Sequence, residues 1–309
     1  MVFVSLQTTK KRLIMKTIKK IGIILAIIIA SGFLIHATSK SDINIYKGTA
    51  DYFPEKVDFA GENAPLNITD VRERFDRELV VNANLQGSTI LILKRANRVF
   101  PVIEPILKKN GVPDDFKYLA VIESALINAV SPSGAKGIWQ FMPITAKERG
   151  MEVNENIDER YHLEKSTDAA CKYLIDAKNK LGSWTLAAAS YNGGMTGVTN
   201  QIQIQKVSNY YDLLLNDETS RYVFRILALK EIMKNPALYG FNAQQEKLYE
   251  NIPTKKLAID STITDLADFA IKQGINYKIL KLHNPWLREN KLDNKLKKMY
   301  QIEIPLSGY

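Results

Sequence analysis

The chain of 309 residues has one cysteine, three histidines and no acidic residue before Asp42. With Cys171 alone, an intramolecular disulfide is excluded. The residue sits in a helical pattern, DAACKYLIDA, and reads as a small core side chain rather than a nucleophile. His36, His162 and His283 are scattered without metal-ligand spacing, so neither a metal nor another cofactor is expected. The formal charge of +9 is uneven. Lys10, Lys11, Arg12, Lys16, Lys19 and Lys20 supply +6 of it within residues 1–39, leaving +3 for the remainder. A basic excess confined to one end does not indicate a nucleic-acid partner. A further lack concerns strands: residues 69–240 contain no run with strand alternation of normal length.

The basic start leads into an apolar run from Ile21 to Ile35 and then a polar, small-residue stretch, the layout of an export signal. The run is short for a spanning helix, which needs about 20 residues. Tilt or local thinning would let it serve as an uncleaved anchor. Residues 1–39 are therefore expected to be a signal peptide or membrane anchor, with Met1 and Met15 both open as starts. The protein is expected outside the cytoplasm, in the periplasm or cell envelope. No cysteine follows the run, which excludes a lipid anchor there.

Residues 40–68, with Pro54 and Pro65 and no clear period, read as an extended arm or linker. Helical spacing begins at Thr69, the expected cap, with Val71, Phe75 and Leu79 on one face. STILILKRANRVFPVIEPILKKNG supplies one or two helices ending at Gly111. In STDAACKYLIDAKNKLG, Ser166 or Thr167 is the expected cap and Gly182 the stop. A helix from Ser183 breaks at Gly193–Gly194, and DETSRYVFRILALKEIMKNP ends before Pro236. Helix therefore dominates residues 69–240. After Tyr249 the pattern changes to strand (IPTKKLAI), helix capped by Ser261 or Thr262, helix (YKILKLHNPWL) and strand (MYQIEIP). That order makes a compact module over residues 250–309.

One side chain stands out in VIESALINAVSPSGAKGIWQFMP. Asp114 is the expected cap of the helix before it, and Phe116, Leu119, Ala120 and Ile127 mark its apolar stripe. Glu123 falls in the middle of that stripe. A carboxylate there must find a partner from elsewhere or be held protonated. A protonated glutamate near neutral pH suits a general acid; a structural glutamate bonded to a loop is the alternative reading. No second acid stands in a comparable setting. Asp158 and Glu159 read as solvated or ion-paired, and Glu218 heads a helix, where the dipole explains it. Trp139 and Phe141 read either as core or as groove residues.

Four pieces in this order, Glu123–Ser124, GIWQFMP from Gly137 to Pro143, SYNGG from Ser190 to Gly194 and ETSRY from Glu218 to Tyr222, resemble the catalytic domain of the lytic murein transglycosylases. VRERFDRELVV and the helices after it resemble the membrane-bound lytic murein transglycosylase D branch. The resemblance implies a mainly α fold: a goose-type lysozyme-like helical catalytic domain over residues 69–240. It is joined to a small α+β module similar to LysM. The module keeps NPWL from Asn284 and the final IEIP. It reads Ile259–Asp260–Ser261–Thr262 where that fold has Gly-Asp-Thr.

The resemblance also implies roles. Glu123 is similar to the single catalytic acid/base and Ser124 to a serine that hydrogen-bonds near it or to substrate. Gln140 and Met142 resemble groove-lining residues. Tyr191 and Asn192 resemble the pair that orients the sugar and stabilises charge. Tyr222 resembles the tyrosine that hydrogen-bonds the acid. Ser190 replaces an alanine. The implied partner is peptidoglycan, and the implied reaction cleaves the MurNAc–GlcNAc bond with closure of the MurNAc 6-hydroxyl to a 1,6-anhydro end. Such intramolecular attack needs no second carboxylate, unlike most glycosidases. Hydrolysis and a non-catalytic wall-binding role are the alternatives.

Overall fold

The computed structural model describes residues 52–242 and 247–307. The Ile21–Ile35 run lies outside the described residues. Among the described residues no helix is long and apolar enough to cross a membrane.

Among the described residues, eight α-helices form the larger body. These are α1 (Thr69–Asn84), α2 (Gln86–Lys109), α3 (Phe116–Ser124), α4 (Pro143–Glu148), α5 (Leu163–Leu181), α6 (Trp184–Gly193), α7 (Met195–Gln205) and α8 (Asp217–Lys234). Helix α8 is the central post, packed by α1, α3 and α6. Its Val223, Phe224, Ile226, Leu227 and Ala228 are all buried, as expected for a helix enclosed on most sides. Asn216 caps it by accepting from Thr219 N at 2.9 Å, and Asp217 and Glu218 occupy its first turn. The segment read as one or two helices before Gly111 is one helix, α2, with Pro101 and Pro105 inside it. The two prolines lie one turn apart on the exposed side, where water can reach the carbonyls they leave unpaired.

Several starts differ from the sequence reading. Helix α5 begins at Leu163 instead of after Ser166 or Thr167. Both hydroxyls instead bond back to Leu163 O, at 3.2 and 2.7 Å. Helix α1 has Ile68 at its cap, and no side chain caps it. Asp114 does not cap α3. Its carboxylate receives Lys117 Nζ, while Asp115 takes Ala60 N at 2.7 Å and Lys230 Nζ at 2.6 Å. The stripe ends early as well: α3 stops at Ser124, Ala125 turns left-handed, and Ile127 is exposed.

The expected linker is part of the body from Phe53 onward. Strands β1 (Asp58–Phe59) and β2 (Glu62–Asn63) form a tight hairpin, and Val57, Phe59, Ala64 and Leu66 enter the core. Burying each large apolar side chain contributes about 1.5–3 kcal/mol. Glu62 reaches the amide end of α6, accepting from Trp184 N at 2.7 Å and Thr185 N at 2.8 Å.

The C-terminal module pairs β3 (Thr254–Ile259) with β4 (Tyr300–Pro305), antiparallel, around α9 (Leu266–Lys272) and α10 (Tyr277–His283). Helix α9 is capped by Asp265, not by Ser261 or Thr262. Asp265 takes Ala267 N and Asp268 N, whereas Ile263 bridges Leu292 in extended form. Buried Asn284 ties the end of α10 to β4, donating to Glu303 O at 2.7 Å and accepting from Glu303 N at 2.8 Å. The module's core of Leu266, Leu280, Trp286, Leu287, Ile302 and Ile304 also contains Ile157 and Tyr161 of the larger body.

Candidate active site

Glu123 lies on the last turn of α3 and is largely buried. Helix α8, packed across α3, delivers Tyr222, whose hydroxyl donates to Glu123 Oε1. Burial raises the Glu123 pKa to about 7, against the Tyr222 hydrogen bond and the positive charge of Arg225, and with a smaller push from Glu218. Arg225 also donates to Ile122 O at 3.2 Å, and Arg95 to Ala125 O at 3.1 Å. Two cations thus meet the carbonyl end of α3. Tyr222 is 2% exposed, and its own pKa is driven well above the ordinary value by burial and by the neighbouring carboxylate.

Against the end of α3 packs the turn from Asn128 to Met142, reached by Ser124 and by Tyr191, a side chain on which the Glu123 charge acts. Lys136 and Phe141 exchange backbone hydrogen bonds at 3.1 Å, and Gly137 N donates to Ala129 O at 3.0 Å. Gly137 is irreplaceable on two counts: its φ is +85°, and a Cβ would stand 1.9 Å from Arg160 O. Ala125, Leu126 and Gln140 are non-glycine residues in the left-handed region. Each such residue costs roughly 1–2 kcal/mol. That strain falls on the end of the Glu123 helix and on the turn packed against it.

The expected site residues divide by what they touch. The Ser124 hydroxyl is buried and donates to Ile138 O at 2.8 Å and Ala120 O at 3.3 Å, so it clamps the turn to α3. The Tyr191 hydroxyl donates to Trp139 O at 2.9 Å, and its ring packs on Trp139, Phe141 and Tyr173. Ser124 and Tyr191 therefore hold the Ile138–Trp139 backbone from two sides, and neither bonds Glu123. Gln140 Nε2 folds back onto Gly137 O at 2.6 Å and Ala129 O at 3.1 Å, while Met142 is exposed at the turn's end. Asn192 is held by its amide, donating to Glu218 Oε1 at 2.9 Å and accepting from Thr219 Oγ1 at 2.7 Å. Gly193 beside it has no room for a Cβ against Thr219.

Trp139 is fully buried with Nε1 on Thr167 Oγ1 at 2.9 Å, and Phe141 is 4% exposed; both are core. Cys171 is likewise core, its thiol pushed up to about 12 chiefly by burial. Ser190 is buried and bonds Ala187 O at 2.8 Å, which explains how a hydroxyl fits an alanine position. Of the two readings for Asp158 and Glu159, solvated or ion-paired, the structure shows ion pairing, with both residues buried. Asp158 forms a buried pair with Arg160, and Glu159 pairs with Lys165. Sequence reasoning missed Arg225, and it missed the partnership of Glu218 with Asn192. Arg225 stands three residues after Tyr222 on α8, a spacing that puts both on one face.

The Transglycosylase SLT domain model matches residues 100–214. The Soluble lytic transglycosylase C-terminal LysM-like domain model matches residues 255–308. The first span contains Glu123, Gln140, Tyr191 and Asn192 and ends before Tyr222. Two curated relatives, each called membrane-bound lytic murein transglycosylase D, come from Escherichia coli K12 and Escherichia coli O6:H1. Each is 29% identical over 244 residues, which is 76% of this chain and 52% of the relative. The chain thus spans about half the length of the curated relatives it matches.

Proposed function

We propose that this chain, which carries a transglycosylase SLT domain and a LysM-like C-terminal domain, is a lytic transglycosylase that cleaves the MurNAc–GlcNAc β-1,4 bond of peptidoglycan and leaves a 1,6-anhydroMurNAc end. The observation that carries the reading is a largely buried glutamate with a pKa near 7, hydrogen-bonded by Tyr222. Near neutral pH it is populated in both forms, as an acid that must later act as a base requires.

Protonated Glu123 donates to the glycosidic oxygen, and the C1–O bond breaks. Positive charge develops at the anomeric carbon, stabilised by the substrate's N-acetyl group and by the oriented amide of Asn192. The Glu123 carboxylate then removes the 6-hydroxyl proton as that oxygen closes on C1, which restores the starting protonation state. Tyr222 supports the carboxylate in the second half. Ser124 and Tyr191 fix the turn beside the acid; exposed Met142 at its end is the side chain free to meet a glycan, while Gln140 braces the turn from within. The proposed domain limits are residues 1–39 for a signal or anchor, 52–241 for the catalytic body and 250–309 for the LysM-like module. We place the protein in the cell envelope, exported and, if the signal is uncleaved, anchored through residues 21–35.

Glu218 favours one second reading. It is the carboxylate that acts electrostatically on Glu123, and as a base for water it would turn the reaction into hydrolysis. Mass spectrometry of products from purified peptidoglycan separates these. Anhydro ends from the wild type, absent with Glu123→Gln, support the proposal. Reducing ends that vanish with Glu218→Gln would replace it by hydrolysis. Binding without any product would make the protein a wall-binding module.

A further inference from the structure

The C-terminal module is joined to the candidate site by a continuous chain of contacts. It docks on the segment from Glu152 to Glu164. Ile157 bridges Leu287, Asp158 N donates to Trp286 O at 2.9 Å, and Arg288 N donates to Asn156 O at 2.8 Å. Glu152 receives Lys298 Nζ at 3.1 Å and Tyr300 Oη at 3.0 Å. Lys256 pairs with Glu164 at 2.9 Å, and the Arg288 guanidinium lies 4.3 Å over the Tyr161 ring. Ile157 and Tyr161 sit inside the module's own apolar cluster. These contacts dock the module instead of leaving it on a tether.

The same segment grips the turn that Ser124, next to Glu123, holds against α3. Asp158, whose backbone is fixed by Trp286, holds the Arg160 guanidinium through Nε at 2.8 Å and Nη2 at 2.7 Å. Both side chains are almost fully buried. The remaining nitrogen, Nη1, donates to Gly134 O at 3.1 Å and Phe141 O at 3.2 Å, the two arms of the turn. The Arg160 carbonyl lies where a Cβ of Gly137 would be. From this turn Ile138 O and Trp139 O receive Ser124 and Tyr191. A planar fork fixed by a bidentate carboxylate holds two carbonyls in a geometry that a lysine cannot reproduce.

We propose that Asp158 and Arg160 are positioning residues through which the docked C-terminal module sets the place of the Gly134–Phe141 turn against Ser124 and the Glu123 end of α3. The module then acts on chemistry as well as on any glycan it binds. Loosening the turn admits water to Glu123 and misplaces the reacting bond. The inference rests on the reading of Glu123 as the acid.

The test uses the full chain with purified peptidoglycan, comparing wild type, Glu123→Gln, Arg160→Lys and the double variant Lys298→Ala/Tyr300→Phe. Melting temperature, kcat, KM and the pH dependence of kcat/KM are read for each. A shift of about 1 Å in a reacting geometry can lower a rate about 100-fold. Arg160→Lys is therefore expected to lower kcat at least about tenfold with KM little changed. The alkaline limb should move to lower pH as Glu123 gains water. The double variant, which loosens docking without touching the buried pair, should shift the limb in the same direction with a smaller loss of kcat.

Folded Arg160→Lys with wild-type kcat and limb would overturn the proposal. Should that variant not fold, unchanged kcat and limb in the double variant would overturn it equally. If Glu123→Gln is inactive in either case, the reading of the site survives that failure. Activity retained in Glu123→Gln would sink the site reading and this inference together.

Discussion

Tyr222 and Glu123, 99 residues apart in sequence, are joined hydroxyl to carboxylate where α8 crosses the last turn of α3. The pair has opposing effects on one proton. Burial drives Glu123 toward the neutral form, while the Tyr222 hydroxyl and the Arg225 charge favour the anion. An acid/base needs both forms within reach, and the balance near pH 7 provides them.

Activity is expected to fall as pH rises through about 7, because protonated Glu123 is the reactant form. In Tyr222→Phe the anion loses its donor, so the alkaline limb should move to higher pH. At the same time kcat should drop about 10- to 100-fold, since the carboxylate is a poorer base without support. A pH series of kcat/KM on both proteins checks this. An unmoved limb would show that the hydroxyl does not govern the Glu123 proton.

Glu123→Gln should be more stable than wild type at pH 8 and similar to it at pH 4. The folded pKa is raised from 4.5 to about 7, so the folded state binds the proton more tightly. The stabilisation is fully present below pH 4.5 and is lost as pH rises through 7. At about 1.4 kcal/mol per unit it amounts to roughly 3 kcal/mol at most. Urea titrations at the two pH values measure it.

His162, stacked on Trp286 at the docking surface, has the opposite slope. Its pKa is lowered to about 4, first by burial and then by Lys165; Glu164 and Glu159 oppose this, and Lys256 adds to it. This contribution is present above pH 6.5 and lost as pH falls toward 4. With respect to these two groups, wild-type stability should be nearly flat between pH 4.5 and 6.5. His162→Gln should expose a decline with rising pH, and Glu123→Gln a rise. Parallel curves for all three proteins would contradict both shifts.

Gly137→Ala should destabilise the protein by about 2–4 kcal/mol, because it combines a left-handed backbone with a Cβ placed on a carbonyl oxygen. Thr167→Val should cost about 1–3 kcal/mol by leaving buried Trp139 Nε1 without its acceptor. Denaturant midpoints test both. A wild-type midpoint for Gly137→Ala would mean that Arg160 can move away freely.

What the sequence determined was set by local rules. Helical spacing and the stops at Gly182 and Gly193–Gly194 were legible because they depend on neighbours three or four residues away. The strand-helix-helix-strand order after Tyr249 was legible for the same reason. Glu123 was conspicuous because a carboxylate on an apolar stripe is costly wherever the stripe goes. What only the tertiary structure decided came from contacts between distant segments. Asp115 took Ala60 and Lys230 as partners, and Glu62 took the start of α6. Part of the linker expected over residues 40–68 became core because Val57, Phe59, Ala64 and Leu66 joined the helices, with Phe59 against Phe116 of α3, rather than following a period of their own. Asp158 and Arg160 lie two residues apart, yet their meaning depends on a turn 20 residues earlier and a module 130 residues later. Sequence carries the residue types that the chemistry needs. Burial and distance, which set a proton's affinity and a fork's two acceptors, exist only once the chain has closed on itself.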